Sequence, residues 1–197
     1  MSCSTRRARR TSRKTSLPGA DVDHVFAPWR RAWVTSAAAT EAGGPMPCLF
    51  CRVWDEAARD EENLVVERGD RCLVMLNRYP YTGGHLMVAP REHAASVAGL
   101  GPETLADLMQ LSARAVAVLE RVYGPHGFNL GINQGRPAGA GIPEHVHLHV
   151  VPRWFGDTNF MTTIGGARVV SEDLAAAWRA IRDGFSVPAS RSGDGPQ

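Results

Sequence analysis

Apolar residues recur at three- and four-residue spacing between positions 102 and 123, where Leu105, Leu108, Met109, Ser112, Ala115, Val116, Leu119 and Val122 fall on one side of a helical projection. Pro102 suits the first turn of that helix and Gly124 its C-terminal cap. Shorter runs rich in Val, Leu and Met predict strands over 63–68 and 71–77, joined as a hairpin at Gly69-Asp70, and over 85–89, 128–133 and 144–151. Short helices are expected over 25–34, 51–60 and 171–183. Strands, one long helix, strands and a terminal helix predict an α+β fold. Its antiparallel sheet would have about five strands, with the long helix on one face and short terminal helices, and not the regular alternation of a doubly wound parallel sheet.

A chain of 197 residues has room for one domain with a substantial core plus appendages. We expect a basic disordered tail over 1–20, a single domain over 21–186 and a flexible C-terminus over 187–197. The formal net charge is +2, yet Arg6, Arg7, Arg9, Arg10, Arg13 and Lys14 sit in a segment without acidic residues, so the domain itself is acidic. The tail lacks interleaved aromatics to stack on bases, and no specific nucleic-acid partner is expected. No run approaches the ~20 apolar residues of a membrane span, which makes a cytoplasmic protein the expectation.

Candidate chemistry concentrates at His145-Val146-His147-Leu148-His149-Val150-Val151. On an extended strand these imidazoles would line one face ~7 Å apart while the aliphatic residues enter the core. Three histidines on a flat strand spread too far for one zinc ion to take all three, though adjacent pairs could share a metal; an imidazole that is largely neutral near pH 7 is a competent nucleophile toward phosphorus. Just upstream, the segment 134–143 carries Gly135, Gly139 and Gly141 beside Arg136, backbone able to approach an anion closely. Cys48-Leu49-Phe50-Cys51 forms a second constellation, open to zinc binding, redox work or simple packing. A tetrahedral metal needs two more ligands, for which His93 and His145 are the candidates.

The histidine run resembles the signature of the histidine triad superfamily, and the resemblance extends from about Cys48 to Phe160. Asn77-Arg78-Tyr79-Pro80-Tyr81-Thr82-Gly83-Gly84-His85 is similar to that family's Asn…Pro-Gly-His segment, and Gln134 occupies its polar position upstream of the triad. Pro152-Arg153-Trp154-Phe155-Gly156-Asp157-Thr158-Asn159-Phe160 resembles the diadenosine tetraphosphate phosphorylase (ATP adenylyltransferase-like) group. The Cys48/Cys51 pair is similar to that of zinc-bearing members.

The resemblance implies a histidine-triad-like fold, a homodimer, and an enzyme acting on a nucleoside 5′-polyphosphate or dinucleotide. His147 would attack the α-phosphorus to form a covalent nucleotidyl-histidine, His149 would assist the leaving group, and His145 would structure the site. Asn77 would hold ribose, His85 would support the catalytic face, and Asn133, Gln134, Gly139, Ala140 and Gly141 would cradle phosphate. Structural zinc would take Cys48, Cys51, His93 and His145. One departure is Gly141-Ile142-Pro143, where many members carry a hydroxyl or amide side chain near the leaving group. Alternatives are a hydrolase of nucleoside phosphoramidates or adenylylated metabolites, a nucleotide sensor, and, last, a redox protein.

Overall fold

A computed structural model describes residues 47–157 and 173–187. The expected basic tail, the helix over 25–34 and Thr158 to Phe160 lie outside those residues, as does all but the first residue of the expected flexible C-terminus. Five strands form one antiparallel sheet: β1 (Val65–Arg68), β2 (Cys72–Leu76), β3 (Leu86–Pro90), β4 (Gly127–Ile132) and β5 (Leu148–Arg153). Their order across the sheet is β1-β2-β3-β5-β4, with β5 inserted between β3 and β4. Among the described residues three α-helices accompany the sheet: α1 (Leu49–Asp55), α2 (Pro102–Tyr123) and α3 (Leu174–Ser186). The predicted α+β class and strand count therefore hold.

The pleat divides the side chains between two cores. Val66, Cys72, Val74, Leu76, Leu86, Val88, Leu148 and Val150 pack on one face against α2 and α3. Val65, Leu73, Met75, Met87 and Ala89 pack on the other with Phe50, Val53 and Ile142. Phe50 is fully buried, contributing about 1.5–3 kcal/mol by leaving water. The site lies on this second face.

Helix α2 begins at Pro102 and ends in a left-handed Gly124 whose N–H donates to Glu120 O, as the sequence predicts. Its buried stripe is rotated from the predicted one. Leu111 and Val118 are buried, whereas Leu105 and Met109 are 36% and 55% exposed, because α3 packs on Val118 at Gly184 and the Gly69 turn lies over Leu111. Ala177, Ile181 and Phe185 of α3 join the same core. Trp178 Nε1 and Arg182 donate to the carbonyls of Val65 and Val66 at 2.7 and 3.1 Å, covering the open edge of β1.

The histidine run departs furthest from its predicted conformation. The strand expected over 144–151 begins only at Leu148. Residues 143–147 bend instead, with Val146 N donating to Ala94 O at 2.7 Å, outside the ladder, and His145 N to Ile142 O at 3.4 Å. The imidazoles are consequently not evenly spaced on one strand face: the His147 and His149 ring centroids are 4.9 Å apart, and His145 departs in another direction. The helix expected over 51–60 is likewise shorter, with α1 followed by a 3-10 turn at Ala57–Arg59.

Candidate active site and metal centre

Backbone groups set the proton on each critical ring. Pro90 O can only accept, so His145 carries its proton on Nε2, 2.9 Å away, and its Nδ1 presents a lone pair. His145 O can only accept, so His147 carries its proton on Nδ1, at 2.9 Å, and Nε2 is its lone-pair nitrogen. The N–H of Tyr81 can only donate, at 3.1 Å, so His85 accepts at Nδ1 and donates from Nε2 to His149 Nδ1 at 3.0 Å. The proton of His149 is thereby left on Nε2. Burial pushes the imidazolium forms of His145 and His147 below the ordinary histidine range, keeping both rings neutral.

His147 and His149 line a cavity of about 890 Å³ that includes its open mouth. Asn77, Gly139 and Gly141 line it as well. The Asn77 side chain also closes its own loop, its Oδ1 accepting from Tyr79 N at 2.9 Å. Tyr81 stacks on His85 with centroids 4.6 Å apart, and Thr82 donates to Pro152 O at 2.9 Å, tying this loop to β5. Asn133 and His149 line a second, shallower cavity with Tyr81 and Arg153. His149 is thus shared by both.

The remaining predicted phosphate contacts are placed differently. Gln134 turns its Oε1 to Val97 N at 2.8 Å, and neither it nor Ala140 lines these cavities. The amides of Gly139 and Ala140 already donate to Arg136 O and Gly135 O. That leaves the Gly141 amide as the one of the three with no backbone acceptor among the described residues.

Across the Phe50 ring, whose centroid is 5.0 Å from those of both His145 and His147, lies the second constellation. Cys48 Sγ is 3.2 Å and Cys51 Sγ 3.7 Å from His145 Nδ1, and Cys51 Sγ is 3.2 Å from His93 Nδ1. One ligand atom from each of the four residues lies within 4.8 Å of the others. Ligands of a tetrahedral Cys2His2 zinc would stand about 3.3–3.8 Å apart. With the lone pair of His145 turned to the thiols, these residues can hold a metal ion. Desolvation pushes the Cys51 thiol up, so metal binding here must displace a proton.

Sequence reasoning passed over two residues on this face. Asn63 and Arg52 line the main cavity, the first from the loop before β1 and the second from α1. Neither an isolated polar residue in a charged loop nor a single arginine on a short helix carries a signal in the sequence.

The HIT domain family model matches residues 58–156, spanning the sheet, α2 and the whole histidine run. The chain belongs to the HIT domain family. An AP-4-A phosphorylase of Mycobacterium tuberculosis is 48% identical over 122 residues, covering 62% of this chain and 63% of that protein. The chain therefore spans 63% of the length of these first relatives. An adenosine 5′-monophosphoramidase of Schizosaccharomyces pombe is 32% identical over 108 residues, covering 55% of this chain and 75% of that protein. Among solved structures, a zinc-bound histidine triad family protein from Mycobacterium smegmatis superposes with TM-score 0.56 at 26% identity, covering 73% of this chain and 96% of its own. Helices α1 and α3 fall outside the HIT family match, so the four-residue Cys/His cluster joins two cysteines from beyond that segment to two histidines within it.

Proposed function

We propose that this HIT protein is a nucleotidyl transferase acting on dinucleoside polyphosphates in the manner of an AP-4-A phosphorylase. The observation that carries this reading is the pair of complementary rings on one cavity: His147 with a lone pair at Nε2, and His149 with a proton at Nε2. His147 Nε2 attacks the α-phosphorus, forming an N–P bond as the bond to the bridging oxygen breaks. His149 Nε2–H donates to that departing oxygen. An acceptor, water or inorganic phosphate, then attacks phosphorus and releases the nucleotide from His147. His85 acts from behind as a positioning residue, and the Gly141 amide is placed to meet charge on the phosphoryl oxygens. Asn77 faces the ribose and Asn133 the departing phosphates.

Cys48, Cys51, His93 and His145 would hold a structural zinc ion. A metal bound there would join α1 and the residue 91–96 loop to the histidine run, fixing the His145 carbonyl that orients His147. No chemical step passes through it. A homodimer is the expected assembly, measurable by light scattering.

Incubation with diadenosine tetraphosphate, with and without phosphate, tests the reaction. ADP that forms only with phosphate supports phosphorolysis; AMP plus ATP without phosphate means hydrolysis; no turnover contradicts the enzyme reading. Similarity to the Schizosaccharomyces pombe phosphoramidase favours one second reading, hydrolysis of an adenosine phosphoramidate through the same His147 attack.

A further inference from the structure

The polar atoms at the end of the cavity remote from the histidines have no place in the phosphate chemistry. Asn63 is 8% exposed, and its neighbour Leu64 holds a left-handed backbone (φ 61°), a costly conformation for a branched residue. Asn63 Nδ2 donates to Glu56 Oε2 at 3.0 Å, and its backbone N–H donates to Arg59 O at 2.9 Å. Arg52 also donates to Glu56 Oε2, at 2.7 Å. Asn63 and these bonds hold the Glu56 carboxyl below its usual range, so it is ionised and can only accept. The orientation of the Asn63 amide is therefore decided by chemistry: nitrogen to Glu56, oxygen elsewhere. Asn63 Oδ1 has no partner among the described residues and is not sealed from solvent, while the residue lines the cavity.

We propose that Asn63 reads the nucleobase, its Oδ1 accepting from the exocyclic amino group of adenine and rejecting bases that place a carbonyl there. Leu49, Val53, Leu64, Met75, Met87 and Ile142 supply apolar walls for the ring faces. Strand β1, next to Asn63, and β5, with His149, are three strand spacings apart, about 14 Å. That span accommodates a nucleoside monophosphate between the two side chains. A 6-oxopurine would set its carbonyl oxygen against Oδ1, and the Glu56 bond prevents the amide from turning over to donate instead.

This inference rests on the proposed nucleotide chemistry, and the test separates the two. The kcat/KM for diadenosine tetraphosphate is compared with that for diinosine tetraphosphate, whose base carries oxygen at the position of the amino group. The wild-type protein should favour adenosine by about tenfold or more. Asn63→Ala should bring the ratio close to one, and Glu56→Gln, which frees the amide to turn, should lower it while leaving the Asn63 side chain in place. A wild-type ratio near or below one, or one unchanged in Asn63→Ala, overturns the proposal. Unchanged selectivity in Glu56→Gln overturns the locked amide. Should neither dinucleotide turn over, the reaction reading fails, and calorimetric binding of AMP and IMP decides base reading. AMP-selective binding lost in Asn63→Ala upholds it; equal binding, no binding, or selectivity retained in the variant overturns it.

Discussion

The two ends of the histidine run make opposite uses of the same side chain. His145 is fully buried, gives its Nε2 proton to a backbone carbonyl and turns a lone pair toward two thiols. His149, on β5, receives a hydrogen bond at Nδ1 from His85 and keeps its remaining ring nitrogen protonated on a ring that lines both cavities. Between them His147 lends Nδ1 to the His145 carbonyl and keeps Nε2 as a base. The difference arises from the bend over 143–147 and from which backbone group meets each ring, so position alone does not decide an imidazole's work.

The largest effect is expected at His147. His147→Ala should lower turnover of a dinucleoside polyphosphate on the order of a thousandfold or more, and full activity in that variant would remove the division of labour. His85→Ala tests the other end through its positioning partner. Turnover should fall by about 10- to 100-fold, the range for groups that orient a histidine from behind, with KM moving far less than kcat. Unchanged kcat would mean that the Tyr81–His85–His149 relay is mere packing.

At the metal end the expected readout is stability. Zinc analysis of the purified protein should find one ion per chain. Chelation or Cys51→Ser should remove it and lower Tm by about 5 °C or more, with a smaller loss of turnover than His147→Ala causes. The smallest effect concerns cysteine contrast. Desolvation, with Asp107 nearby, pushes the Cys72 thiol up to about 12, so it stays protonated and unreactive from pH 7 to 9. Iodoacetamide at pH 8 should therefore label Cys48 and Cys51 after chelation while sparing Cys72 in the folded protein. Prompt labelling of Cys72 would contradict its burial in β2.

Much of this was legible in the chain. Helix α2 was readable from Pro102 to Gly124 because its caps and apolar period agree, and the β1–β2 hairpin because a turn separates two aliphatic runs. The convergence of Cys48, Cys51, His93 and His145 followed from ligand arithmetic and family resemblance. The start of β5 did not, because alternation of histidine and aliphatic residues reads as strand, while the N–H of Val146 is claimed by Ala94 from a distant loop. The burial of Leu111 and Val118 in place of Leu105 and Met109 depends on the distant Gly69 turn and on α3, which cover them. Asn63 was invisible for a similar reason, since its meaning comes from Glu56 folding back across the 3-10 turn.

In the proposed reaction His147, and neither flanking histidine, carries the nucleotide. Rapid acid-free denaturation of the protein during turnover of diadenosine tetraphosphate, followed by fragmentation mass spectrometry, tests it directly. We predict one adenylyl group on His147. Turnover without any adduct, or an adduct on His145 or His149, would overturn nucleophilic attack by His147.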